Sequence, residues 1–261
     1  AVTDSTREAP HASYEPMVLP ARRPVSPLAP FHWLKLGWQD VKAVPDISLA
    51  YGALFAAIGA FITYFSLGAP QLTLNFWSGF LLIGPLLAVG LYRIAQLREQ
   101  GDSIRLNRCV RTLGERKSEV GMFVLFLGMI MIAWILFSTL MVAVFFGDLP
   151  TGTEAFTDAL RSADGIKFLL VVFGTGGLFA LLVFAASAVS LPMMLDGKAD
   201  LVPAVVTSFR TVIEQPVPMF IWAALVAVLT LLGMATLFFG FVIVFPVLGY
   251  ATWHSYRAIV E

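Results

Sequence analysis

The groups in this chain that could do chemistry are few and scattered. His11, His32 and His254 are its only histidines, and Cys109 is its only cysteine. One cysteine forms no internal disulfide and no cysteine-rich metal or iron–sulfur site. Cys109 sits between Arg108 and Arg111, which would lower its pKa, or it is an acylation point. A bystander thiol is the simpler reading. His254 closes the last apolar run beside Trp253 and Tyr256, and reads as an interfacial anchor more readily than as a haem or metal ligand. No Asp, Glu, Lys, Arg or His falls at the centre of a long apolar run. A charge there costs about 2.5–3.5 kcal/mol and marks a proton or ion pathway. Its absence speaks against a pump, a proton-coupled carrier and a redox core. No zinc-protease helix, phosphate loop or nucleophile elbow is present. The residues predict no enzyme, no cofactor and no metal site.

The elements that carry these groups are apolar runs. Of 261 residues, 58% are hydrophobic and 13% charged, and mean hydropathy is +0.83; a soluble domain has about 25% charge. Seventeen basic residues balance seventeen acidic ones, which removes the electrostatic case for nucleic acid. A crossing helix needs about 20 apolar residues. The runs predict an all-α polytopic membrane protein with six transmembrane helices, near 47–67, 76–94, 120–146, 166–195, 219–237 and 240–256. The last two come from one stretch, split near Phe238–Gly240 because a single helix of that length would reach about 57 Å. Five spans, with that stretch left whole, is the alternative. Fifteen Lys and Arg fall on one side of this topology, and only Arg161 and Lys167 on the other. The positive-inside rule then puts both termini in the cytoplasm and requires an even number of spans.

Segments of the chain resemble one another. Trp38 to Pro45 and Phe209 to Pro216 each place an aromatic residue seven positions before a proline that opens an apolar run. Gly101 to Phe123 parallels Gly197 to Met219, and Gly79-Phe80, Pro85 and Tyr92-Arg93 parallel Gly240-Phe241, Pro246 and Trp253-His254. The simplest unit is an amphipathic helix followed by a two-span hairpin, used three times in parallel. Pro85 and Pro246 are expected to kink their spans. The amphipathic lead-ins mix apolar and basic residues and read as interfacial helices. Their lipid-contact candidates are Trp33, Trp38, Arg105, Arg108 and Arg111, with Trp253 at the last helix end.

Two regions read as partner surfaces. Residues 1–30 hold six prolines and no apolar core, so they read as neither signal peptide nor span. This cytoplasmic arm is either a tail or a strap laid on a partner through Tyr14, Met17 and Leu19, while residues 31–261 form the membrane domain. Span three is rich in Phe and Met, and Phe123, Phe126, Trp134 and Phe137 face either lipid or a partner. The pairs Gly84/Ala88 and Gly176/Ala180, and Gly52 with Ala56 and Ala60, have the small-residue spacing of close helix packing. The run Gly174, Gly176, Gly177 alternatively unwinds span four.

Gly37-Trp38-Gln39-Asp40, Pro45 to Gly52, Gly84-Pro85-Leu86, Tyr92 and the Gly101–Leu113 segment resemble the domain-of-unknown-function 2189 family of predicted bacterial integral membrane proteins, over about residues 31–258. That family has no established activity, and some members carry a cytochrome c oxidase label. The resemblance implies a bacterial inner-membrane protein and, as partner, a respiratory oxidase. Lacking transmembrane histidines for haem and copper, the chain reads as a non-catalytic accessory subunit or assembly factor in contact with other integral membrane subunits and lipids. A small-solute transporter or channel built of three hairpins is the alternative.

Overall fold

The computed structural model describes residues 19–66, 70–102, 117–147 and 153–260. It is all-α. In chain order the helices are α1 (Ala29–Ala43), α2 (Pro45–Phe65), α3 (Pro70–Leu87), α4 (Val89–Glu99), α5 (Lys117–Phe146) and α6 (Thr153–Arg161). They continue with α7 (Ala163–Ser187), α8 (Ser190–Leu195), α9 (Leu201–Glu214), α10 (Pro216–Ala235) and α11 (Phe241–Ile259).

One corner is built twice. Val44 (φ −136°, ψ 62°) turns α1 into α2, and Gln215 (φ −127°, ψ 59°) turns α9 into α10. A proline follows each. It disfavours the α conformation in the residue before it and suits the first helical position, where its missing N–H is not needed. Both corner N–H groups still donate to the preceding helix, at Asp40 O and Thr211 O. The expected likeness of 38–45 and 209–216 is therefore a likeness of backbone. A second likeness joins the ends of α4 and α8. Gly101 (φ 70°) and Gly197 (φ 75°) occupy the left-handed region. The N–H of the next residue reaches back to Leu97 O and Met193 O, the bond that closes a glycine-terminated helix.

The two expected proline kinks differ. The chain breaks at Ala88, between α3 and α4, three residues beyond Pro85, whereas α11 runs through Pro246 unbroken. The glycine run leaves α7 continuous. The long C-terminal stretch divides at 236–240, where Leu237 (φ 52°) and Phe238 (φ 71°) hold uncommon positive φ angles. The Phe238 side chain is buried between Trp77, Phe80 and Phe241. Among the described residues, five helical segments are long and apolar enough to cross a membrane: Pro45–Phe65, Phe76–Glu99, Ser118–Phe146, Ala163–Leu195 and Pro216–Ala235. α11 has the length, but its last turns carry His254, Ser255, Tyr256 and Arg257 in place of apolar residues.

The core gathers around α11. Tyr250, Ala251, Trp253, Tyr256 and Ile259 are fully buried there. Glycines permit the approach of its neighbours: a Cβ on Gly37 of α1 would lie 2.6 Å from Val247 O, and one on Gly52 of α2 would collide with the Val242 carbonyl. Phe55 of α2 stacks on Phe245 at 3.9 Å between ring centroids and meets Phe80 of α3 at 4.2 Å.

Candidate functional site

Two features outside ordinary packing stand out, and they are neighbours. The first is a polar network at one end of the bundle, built from residues that close helices. Asp40 of α1 accepts hydrogen bonds from Arg98 of α4 and lies 2.7 Å from Nε2 of His254 on α11. Asp196, just past α8, accepts from Gln96 Nε2 and from the Tyr256 hydroxyl, each at 2.6 Å. Glu99 accepts from Arg257 Nε at 3.0 Å and from the Trp253 indole N–H at 3.2 Å. The Arg257 guanidinium is held above its ordinary pKa: partial burial pulls it down, but the Glu99 hydrogen bond and the charges of Glu99 and Asp196 outweigh that. Within the network, Asp40 and Asp196 are thus each engaged by both α4 and α11, and Glu99 of α4 by two side chains of α11. Its chemistry is cross-linking: charges that would be costly alone in a poorly hydrated setting are paired and hydrogen-bonded. Among the described residues, no group of three His, Cys, Asp or Glu side chains could hold a metal ion.

The second feature is a cavity of about 440 Å³. Its walls come from α3 (Leu81, Gly84), α4 (Tyr92), α5 (Ile130, Trp134), α7 (Gly176, Phe179), α10 (Val226) and α11 (Phe245). Thr252 lines it as well. One helical turn further on from Tyr92 and Thr252 lie Gln96 and Tyr256, so the polar network lies about one turn beyond that part of the cavity wall.

Several expected contacts sit elsewhere than the sequence suggests. Trp33 is not at a lipid interface: it is buried, and its ring meets Trp222 of α10 edge-on at 5.7 Å. Trp253 is likewise buried, its indole N–H spent on Glu99. Aromatic residues near a helix end pack inward when a neighbouring helix offers a partner. Trp38 is exposed, with Lys42 Nζ 6.0 Å from its ring centre. Phe123, a candidate partner contact, is also buried, and Phe126 is half-buried beside it. Trp134 and Phe137 are half-buried against Phe179 of α7, at 5.4 and 6.2 Å. Gly84, Ala88, Gly176 and Ala180 line the cavity; a Cβ on Gly84 would meet open space where close helix packing was expected, whereas one on Gly176 would meet the Trp134 ring at 3.1 Å, and Gly52 and Ala56 also pack. Tyr14, Met17, Cys109, Arg105, Arg108 and Arg111 lie outside the described residues.

The end of the N-terminal arm lies on this chain itself. Arg22 pairs with Glu214 at 2.8 Å and bridges backbone with Val260. Gln215 accepts from the Val25 N–H at 2.9 Å and donates to Arg23 O at 3.0 Å. Leu19 is half-buried. The described part of the arm therefore ties the α9–α10 corner to the C-terminus, and its partner is internal. The sequence reading missed the polar network. Its signal was present in Asp40, Glu99 and Asp196, acids placed where apolar or amphipathic helices stop, but their pairing joins residues up to 214 positions apart.

Residues 72–196 match the family described as predicted integral membrane protein (DUF2189). The match takes in α3 through α8 apart from the first two residues of α3, with Gln96, Glu99 and Asp196, and is narrower than the resemblance over 31–258. No curated protein and no solved structure matches the chain.

Proposed function

From the match of residues 72–196 to the family described as predicted integral membrane protein (DUF2189), we propose that this chain is a non-catalytic accessory subunit or assembly factor of a larger membrane complex. The observation that carries this reading is the α5–α7 hairpin. In the most apolar stretch of each of its two spans only 11% is buried, although each stretch is as apolar as any in the chain. Leu125, Leu136 and Leu140 of α5 and Leu170 and Phe173 of α7 all point outward. The polar residues of the network, by contrast, are committed to holding this chain together. Such a molecule offers a broad apolar surface on a frame tied by polar cross-links. A respiratory oxidase is the partner complex that the family resemblance suggests.

The topology proposed with it is six spans in three parallel hairpins, in a bacterial inner membrane with both termini cytoplasmic. Asp40–Arg98, Gln96–Asp196, Glu99–Arg257 and Arg22–Glu214 join the first, second, fourth, fifth and sixth of these segments at one end, and the basic excess lies on that side. A small-solute transporter is the second reading, and the cavity favours it; the absence of any charged side chain from the cavity wall weighs against it. Purification from native membranes in mild detergent decides. Stoichiometric recovery with other integral subunits, haem-containing for an oxidase, is expected. A protein that always elutes alone overturns the accessory reading. A reporter fused after Glu261 that works only outside the cytoplasm overturns the topology.

A further inference from the structure

We propose that the cavity between α3–α4, α5, α7, α10 and α11 is a binding site for one hydrocarbon chain of a membrane lipid. Its volume, about 440 Å³, lies within the range of small-molecule sites. A partner helix, about 10–12 Å across with its side chains, does not fit.

The wall selects for hydrocarbon. Among the described residues that line it none is charged, and most are apolar. Two hydroxyls on the wall are turned onto their own helices: Ser187 donates to Val183 O and Thr252 to Leu248 O, each at 2.7 Å. A polar solute would meet those two donors already spent.

Small residues keep the space open. A Cβ placed on Gly84 would find nothing within 4 Å, and Gly176, Ala88 and Ala180 line the same volume. Small residues at four-residue spacing ordinarily bring helices into contact; Gly176 does so, under the Trp134 ring, but at Gly84 the helices stand apart. The walls are apolar spans, so the surrounding solvent is itself made of acyl chains. A void between such walls forfeits the dispersion contacts of every lining atom, and a chain lying in it restores them.

The test is photolabelling of the full chain in phosphatidylcholine nanodiscs. A trace of phosphatidylcholine carries a diazirine at mid-chain; a parallel arm uses a diazirine fatty acid. Peptides bearing Ile130–Trp134 and Phe179–Phe184 should be labelled in preference to outward positions such as Leu170 and Phe173. Gly84→Leu, which fills the cavity, should abolish that preference. Gly177→Leu, on the exposed face of α7 with open space around it, should leave it intact. Labelling in the phospholipid arm identifies a bilayer lipid as the source, and labelling in the fatty-acid arm alone identifies a free acid. The wild-type map decides even if Gly84→Leu fails to fold: labelling spread evenly over the outward faces, with no excess at the cavity, overturns the proposal. So does an unchanged excess in a folded Gly84→Leu protein.

Discussion

The helices around α11 and the α5–α7 hairpin are made of similar residues and packed in opposite ways. In the segment Phe76–Glu99, 62% of the most apolar stretch is buried, against 11% in the hairpin's two spans, which are the more apolar. Hydrophobicity therefore does not decide burial here. In a bilayer, an apolar side chain gains little by leaving lipid for protein, and helices associate through close backbone approach and polar pairing. The α11 frame has both: Gly37 and Gly52 against its backbone, and Asp40, Glu99 and Asp196 paired at its end. The hairpin has neither along most of its length. It joins the frame near Phe123 and Leu127 at one end, where both are buried, and stands away from it at the cavity.

If that contrast is right, one substitution should act very differently in the two regions. Gly52→Leu drives a side chain into the Val242 backbone, and should cost more than about 4 kcal/mol, in the class of severe overpacking. Gly128→Leu, with nothing within 4 Å of its Cβ on α5, should stay within about 0.5 kcal/mol. Thermal melting in detergent measures both, and similar effects would break the comparison.

Next in size is the polar end. Asp40→Ala leaves Arg98 and His254 without their shared carboxylate in a largely buried place, and should cost about 3–5 kcal/mol. Denaturant titration checks it; a loss below about 1 kcal/mol, the range of a solvated surface pair, would show that the network is hydrated and idle.

A smaller loss is expected where the arm meets the frame. Gln215→Ala removes two hydrogen bonds to Val25 and Arg23, about 1–2 kcal/mol together. Proteolysis ahead of residue 29 should quicken. Unchanged protection would mean that the arm is held by other contacts.

The smallest effect on the isolated protein should come from Leu125→Ala, Leu136→Ala and Leu140→Ala combined, since all three are exposed on α5. Melting should hardly move, while the amount recovered with a membrane partner should fall. Recovery at the wild-type level would return this face to lipid.

Much of this architecture was legible from local chemistry. A 58% apolar composition leaves no soluble solution. Prolines at 45 and 216, each at the end of an amphipathic segment, mark the two corners, because the ring restricts the residue before it. Gly101 and Gly197 mark helix ends for a comparable reason, as glycine meets the left-handed conformation at no steric cost. The division near residue 238 followed from length alone, since helix rise and bilayer thickness are fixed quantities.

Only the tertiary structure decided which face of each helix meets protein. Trp33 and Trp253 look alike in sequence to Trp38, yet two are buried and one is exposed, because a tryptophan's amphipathic ring suits an interface and an interior equally. Gly84 and Gly52 share the small-residue spacing, yet one faces a cavity and the other a backbone. Asp40, Glu99 and Asp196 each resemble a solvated helix end until Arg98, Arg257, Tyr256 and His254 arrive from distant parts of the chain. Local sequence governs backbone conformation through sterics that act within a few residues. Pairing partners are chosen by contacts between helices far apart in the chain, and no local pattern records them.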